Sequence, residues 1–118
     1  MEEKLNKLKI KNKNIVIFAS GSGSNAIKIH DHFKDIDNVN VASLYCNNPE
    51  ARVLLKFREL NVKTCLFSKK DLDNQKVLES LQKIDPDLII LAGFLLKIPK
   101  SITSFFKNKI INIHPALL

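Results

Sequence analysis

The sequence predicts an α/β fold: a doubly wound, mostly parallel five-stranded sheet with helices on both faces. Three observations predict it. From residue 14 onward, short apolar runs alternate with helix-length segments, the pattern of repeated strand–helix–strand units. Two of the runs, Ile15-Val16-Ile17-Phe18-Ala19 and Leu88-Ile89-Ile90-Leu91-Ala92, are apolar without alternation, as strands covered on both faces must be. The length of 118 residues, with 45% hydrophobic and 26% charged, suits one domain that buries roughly two-thirds of its unfolded surface.

The elements follow in order. Strand one is the run at Ile15, and a helix is expected over about 25–34. The second run, Val39 to Tyr45, is followed by Pro49-Glu50, a suitable helix start. Val53, Leu54, Phe57 and Leu60 then form the buried stripe of a helix over about 50–60. The third run is Val62 to Phe67. Asp71 precedes Leu72, Val77, Leu78 and Leu81, a period near 3.6 that predicts one helix over about 71–84. Asp85-Pro86 stops it, since the residue before proline avoids the helical region. After the run at Leu88, a helix over about 99–107 leads to the last run, Ile110 to Ile113. The expectation is five strands and four helices.

Residues 1–13 stand apart as a basic N-terminal extension, with five lysines against Glu2 and Glu3. One or two helical turns there would build on Leu5, Leu8 and Ile10. Residues 14–118 form the domain, and the sequence stops at His114-Pro115-Ala116-Leu117-Leu118, just past a strand. An apolar sheet edge needs a crossover helix or a further strand beside it. The expectation is therefore an incomplete domain, truncated after strand five.

Composition excludes several classes. No apolar run approaches the ~20 residues of a membrane span, and the N-terminus lacks the apolar core of a secretion signal. Cys46 and Cys65 lie far apart with no CxxC and no histidine at ligand spacing, so neither a metal site nor a redox pair is expected. Two free thiols point to a reducing cytoplasm. The formal net charge is +7, but the lysines are dispersed without interleaved aromatic residues, which argues against a nucleic-acid partner.

Three segments could carry chemistry. Ser20-Gly21-Ser22-Gly23-Ser24-Asn25 lies between the first strand and first helix. Glycines there let the backbone approach an anion, and the first-turn N–H groups of the helix point at it. A plain capped glycine turn would look similar. Gly21, Gly23 and Ala26 formally satisfy the dinucleotide pattern, but the second strand ends Tyr45-Cys46-Asn47-Asn48 without the acid that would hold a ribose. No Gly-Lys-Ser/Thr follows, so a single small phosphate ester fits best. In Asn112-Ile113-His114-Pro115, alternation puts Asn112 and His114 on one face, roughly 7 Å apart. They offer an amide donor and a group that titrates near neutrality, the pair an acyl transfer uses. A hydrogen-bonded structural histidine fits as well. His30 and His32 read as solvated bystanders. The turn Ala92-Gly93-Phe94-Leu95-Leu96-Lys97-Ile98-Pro99 is apolar for a loop at a ligand-binding edge. A flat apolar cofactor would rest there, as would a helix of the chain itself.

These segments, at these spacings, resemble the phosphoribosylglycinamide formyltransferase family of purine biosynthesis. The matches are IVIFASGSGSN (15–25), LIILAGF (88–94) and IINIHPALL (110–118), and they correspond to the amino-terminal part of that family's Rossmann-like fold. The resemblance implies formyl transfer from 10-formyltetrahydrofolate, a co-substrate, to the amino group of glycinamide ribonucleotide. It implies that Gly23, Ser24 and Asn25 hold the substrate phosphate. Leu95, Leu96, Lys97 and Ile98, with Asn112, would meet the folate, and Lys70 falls near a basic residue that touches it in relatives. His114 would be the catalytic acid–base and Asn112 the oxyanion donor. The partners implied are small molecules, with no metal, nucleic acid or membrane, and monomer and homodimer are equally open. Relatives hold the histidine with an aspartate further along, so these 118 residues alone are expected to lack formyl transfer. Another folate-dependent formyltransferase or deformylase, or a non-catalytic sugar-phosphate-binding half-domain, are the alternative readings.

Overall fold

The structure, a computed structural model, describes residues 12–113. The proposed helical turns at Leu5, Leu8 and Ile10 lie outside the described residues, as does His114. Five strands form one sheet: β1 (Lys13–Ala19), β2 (Val39–Cys46), β3 (Lys63–Leu66), β4 (Leu88–Ala92) and β5 (Ile110–Ile113). Their order is β3-β2-β1-β4-β5, and every pairing is parallel, where the sequence predicted a mostly parallel sheet. Five helices connect them: α1 (Ser24–Phe33), α2 (Arg52–Glu59), α3 (Lys69–Asp73), α4 (Lys76–Ile84) and α5 (Lys100–Phe105).

The unbroken apolar runs explain the order. β1 is the central strand, and its last five residues are buried. Ile15, Ile17 and Ala19 face α1 and α2, where Ala26, Val53, Leu54 and Phe57 complete one core. Val16 and Phe18 face the opposite way, against Leu72, Val77, Leu81 and Ile102 of α3, α4 and α5 and Phe106 just past α5. The ring of Phe18 is the centre of that second core, 5.0 Å from Tyr45, 5.8 Å from Phe67 and 5.2 Å from Phe94.

Two helix expectations are corrected. The single helix over 71–84 is two helices, because Gln75 takes a left-handed conformation, φ 75°. The start of the first piece is set by Ser68, whose hydroxyl accepts from the Asp71 N–H while the Asp71 carboxylate accepts from the Ser68 N–H. This reciprocal capping box makes Asp71 the third helical residue rather than the residue before the helix. The helix expected from residue 50 begins at Arg52, with Ala51 as its cap, because Pro49 and Glu50 are taken up in the turn closed by the Ala51 N–H on the Asn48 carbonyl.

Candidate functional site

A parallel sheet sends all five strand exits to one edge. The chain leaves β1 toward β2 and β3, then crosses back to β4 and β5 on the other side. The crevice between β1 and β4 is thus the topological switch point, the place where open α/β sheets bind ligands. A cavity of about 270 Å³ opens there, lined by Gly21, Ser22, Gly23, Ser24 and Asn25 on one side and Ala92, Gly93 and Leu95 on the other.

The first wall is a helix start without a side-chain cap. Gly23 is the N-cap of α1, in the left-handed region at φ 79°. The first bond of the helical ladder runs from the Ile27 N–H to the Gly23 carbonyl, 2.8 Å. The N–H groups of Ser24, Asn25 and Ala26 precede it, so the helix itself cannot satisfy them. Partial positive charge at this end favours an anion. Glycine is required at 23 for a second reason: a Cβ there would lie 2.3 Å from Val53 Cγ2. The turn is also braced by α2, since the Val53 N–H donates to the Gly21 carbonyl at 3.2 Å. Lys56 Nζ donates to the Ser22 carbonyl at 2.9 Å, bringing a cation to the same turn. Gly21 has open space around it.

The second wall belongs to the loop after β4, and that loop serves two cavities. Leu95 lines the cavity with the glycine turn. Leu96, Lys97 and Ile98 line a separate cavity of about 480 Å³ with Lys69, Leu72, Asp73, Pro99 and Lys100. Leu96 and Ile98 pack their apolar parts on the second core, so this cavity has an apolar back, with Lys69, Lys97, Lys100 and Asp73 among its lining residues. Lys70, on α3, is exposed and adjoins Lys69 of that rim, but it is not among the residues lining the cavity.

Asn112 stands on β5 opposite Leu91 of β4. Leu91 in turn pairs with Phe18, and Phe18 with Tyr45, so Asn112 sits on one rung running across the sheet. It shares the face of Ile110, which packs on the second core, and is itself exposed. The expected partner, His114, lies outside the described residues. Of the bystanders, His32 is exposed, whereas His30 is not the solvated residue expected. Its ring stands edge-on to Phe57 at 5.8 Å, and its Nδ1 is buried without a hydrogen-bond partner, because α1 turns that side toward α2.

Burial raises the three other groups near these exits. Tyr45 is pushed up to about 12, and its bond to Ser80 opposes the shift only partly. Burial likewise pushes the Cys46 and Cys65 thiols above their ordinary value. Both cysteines are free. Among the described residues no cluster of three or more histidine, cysteine or acidic side chains is placed to hold a metal ion. No helix among them is long and apolar enough to cross a membrane.

Three residues of the site owe their roles to tertiary contacts: Ser20 and Asn47 lie in segments singled out from the sequence, without a role of their own there, and Lys56 was not singled out. Ser20 Oγ donates to Asn47 Oδ1 at 2.6 Å and accepts from the Leu95 N–H at 3.0 Å. Lys56 reaches the glycine turn from 34 residues away. All are contacts between segments distant in sequence. Only the Ser20 position, at the end of an apolar strand and before the first glycine, was a hint.

The chain is similar to known proteins in sequence and in fold. Phosphoribosylglycinamide formyltransferase of Bacillus subtilis is 33% identical over 112 residues, a stretch covering 90% of this chain and 57% of that protein. The chloroplastic phosphoribosylglycinamide formyltransferase of Arabidopsis thaliana is also 33% identical, covering 90% of this chain and 39% of that one. Among solved structures, glycinamide ribonucleotide transformylase 1 from Geobacillus kaustophilus superposes with a TM-score of 0.81 at 37% identity, over 91% of this chain and 60% of its own. The chain thus spans about half the length of the curated relatives it matches. The formyl transferase family model matches residues 13–118, nearly the whole sequence, and the chain belongs to that family.

Proposed function

We propose that the chain carries the sugar-phosphate site and part of the transfer machinery of a phosphoribosylglycinamide formyltransferase. In the reaction, 10-formyltetrahydrofolate gives its formyl group to the amino group of glycinamide ribonucleotide. Gly23, Ser24 and Asn25 hold the substrate phosphate. Leu95, Leu96, Lys97 and Ile98 receive the folate, with Lys70 at the margin and Asn112 at the reacting end. The amine attacks the formyl carbon, and negative charge builds on the formyl oxygen. The Asn112 amide and a protonated His114 stabilise that charge; His114 then gives its proton to the departing folate nitrogen as the C–N bond breaks and, neutral, takes up the proton the amine loses. One such donor contributes on the order of 3 kcal/mol to the transition state, and holding both substrates in one cleft supplies orientation. The reading calls for small-molecule partners alone, no metal, and a cytoplasmic setting, which two free thiols suit.

The observation that carries this reading is the cavity at the switch point, with an uncapped helix start on one wall and the β4 loop on the other. The relatives' names support the same substrate. Amide resonances of the purified chain, titrated with glycinamide ribonucleotide, test it. Gly23, Ser24 and Asn25 are expected to shift first, while formylmethionine leaves them in place. Shifts confined to other elements, or none at saturation, would overturn the assignment.

A further inference from the structure

We infer that the Ser20 hydroxyl is a positioning group that couples the two walls of the switch-point cavity, so that an anion held by the phosphate turn orders the loop after β4. The inference rests on the reading that an anion binds at Gly23–Asn25. Ser20 is 3% exposed and follows directly on β1. Its one proton goes to Asn47 Oδ1, at the exit of β2, and a lone pair takes the Leu95 N–H, at the exit of β4. One buried atom therefore ties together three strand exits whose residues lie 27 and 75 positions apart. A hydroxyl that donates and accepts in this way has a single permitted rotamer.

The two ends of the link are unequal. Leu95 has its side chain 83% exposed, so packing does little to hold this part of the loop. The backbone bond to Ser20 is its anchor. The other end is held better, since Ser20 continues into a turn braced by the Val53 N–H on the Gly21 carbonyl, but the first N–H groups of α1 that follow have no partner within the helix. An anion that settles onto the turn removes its residual motion, and with it the motion of the Ser20 hydroxyl. The N–H of Leu95, a residue that lines the same cavity, is held more tightly as a result. Coupling of this kind is reciprocal: a ring system resting on the β4 loop strengthens anion binding by the same factor. Ser20 touches neither ligand, which makes it a positioning residue.

Amide hydrogen exchange of the chain, with ribose 5-phosphate as the anion probe, reads the coupling. In the wild-type chain the sugar phosphate is expected to slow exchange at Leu95 by about threefold or more, alongside responses at Ser24 and Asn25. In Ser20→Ala the responses at Ser24 and Asn25 persist and the one at Leu95 disappears. Ser20→Thr, which keeps the hydroxyl, restores it. Should Ser20→Ala not fold, Asn47→Ala frees the hydroxyl from its other partner and weakens the Leu95 response. Responses at Ser24 and Asn25 without any at Leu95 in wild type overturn the coupling alone. Equal slowing at Leu95 in wild type and Ser20→Ala overturns the part given to Ser20. Silence at Ser24 and Asn25 overturns the anion site and the coupling with it.

Discussion

β1 and β5 end on the same edge of the sheet and carry the two groups that formyl transfer would need, but they are held very differently. β1 is paired on both sides, and five of its residues in succession are buried. The turn that follows it is fixed by close packing of Gly23 on Val53 and by bonds from Val53 and Lys56. β5 pairs only with β4 among the described residues. Its central residues, Ile111 and Asn112, are exposed. An anion site of backbone N–H groups works when those groups are aimed beforehand, and burial aims them. Among the described residues the amide of Asn112 has one ladder behind it, and preorganisation within them falls from β1 to β5.

Mutations can break or sharpen that contrast. The largest effect is expected at the centre: Phe18→Ala removes a ring in contact with three others and should cost about 3–5 kcal/mol. Ile111→Ala, on β5 with its side chain 49% exposed, should cost less than about 1 kcal/mol. Urea denaturation measures both, and similar values would erase the difference between the strands.

Next in size are the glycines of the turn. Gly23→Ala combines a left-handed backbone with a Cβ driven into Val53, for a loss of about 2–4 kcal/mol. Gly21→Ala meets open space and should stay within about 0.5 kcal/mol. Adding Val53→Ala to Gly23→Ala should not restore stability, because Val53 Cβ itself stands 2.6 Å from the added atom, and the denaturation midpoint of the double variant checks this. The smallest effect belongs to Lys56. Lys56→Met should leave stability within about 0.5 kcal/mol but weaken ribose 5-phosphate binding about three- to fivefold at low salt, a difference that shrinks as salt screens the charge. Calorimetric titration at two ionic strengths reads it, and an unchanged affinity would assign Lys56 to bracing the turn alone.

Local chemistry made much of the fold legible. Unbroken Val, Ile, Leu and Phe in β1 and β4 marked strands covered on both faces, and their central places in the sheet follow. The glycine turn was legible because glycine is the residue that allows a positive φ beside a tightly packed neighbour. The break at Gln75 was not. The apolar spacing of Leu72, Val77 and Leu81 continues across it, and all three reach the same core. The partial burial of His30 was hidden too, because a helix shows its spacing but not which neighbour covers each side.

What the sequence determined by itself was the kind and order of the elements, and the residue types at two strand exits. Those properties follow from periodicity and from backbone freedom, which act over a few residues. Tertiary structure alone decided that the exits of β1, β2 and β4 meet at one buried hydroxyl, and that Lys56 reaches the turn. It also divided the β4 loop between two cavities. Each of these contacts joins residues far apart in the chain, and their distances are set by how helices pack across a twisted sheet.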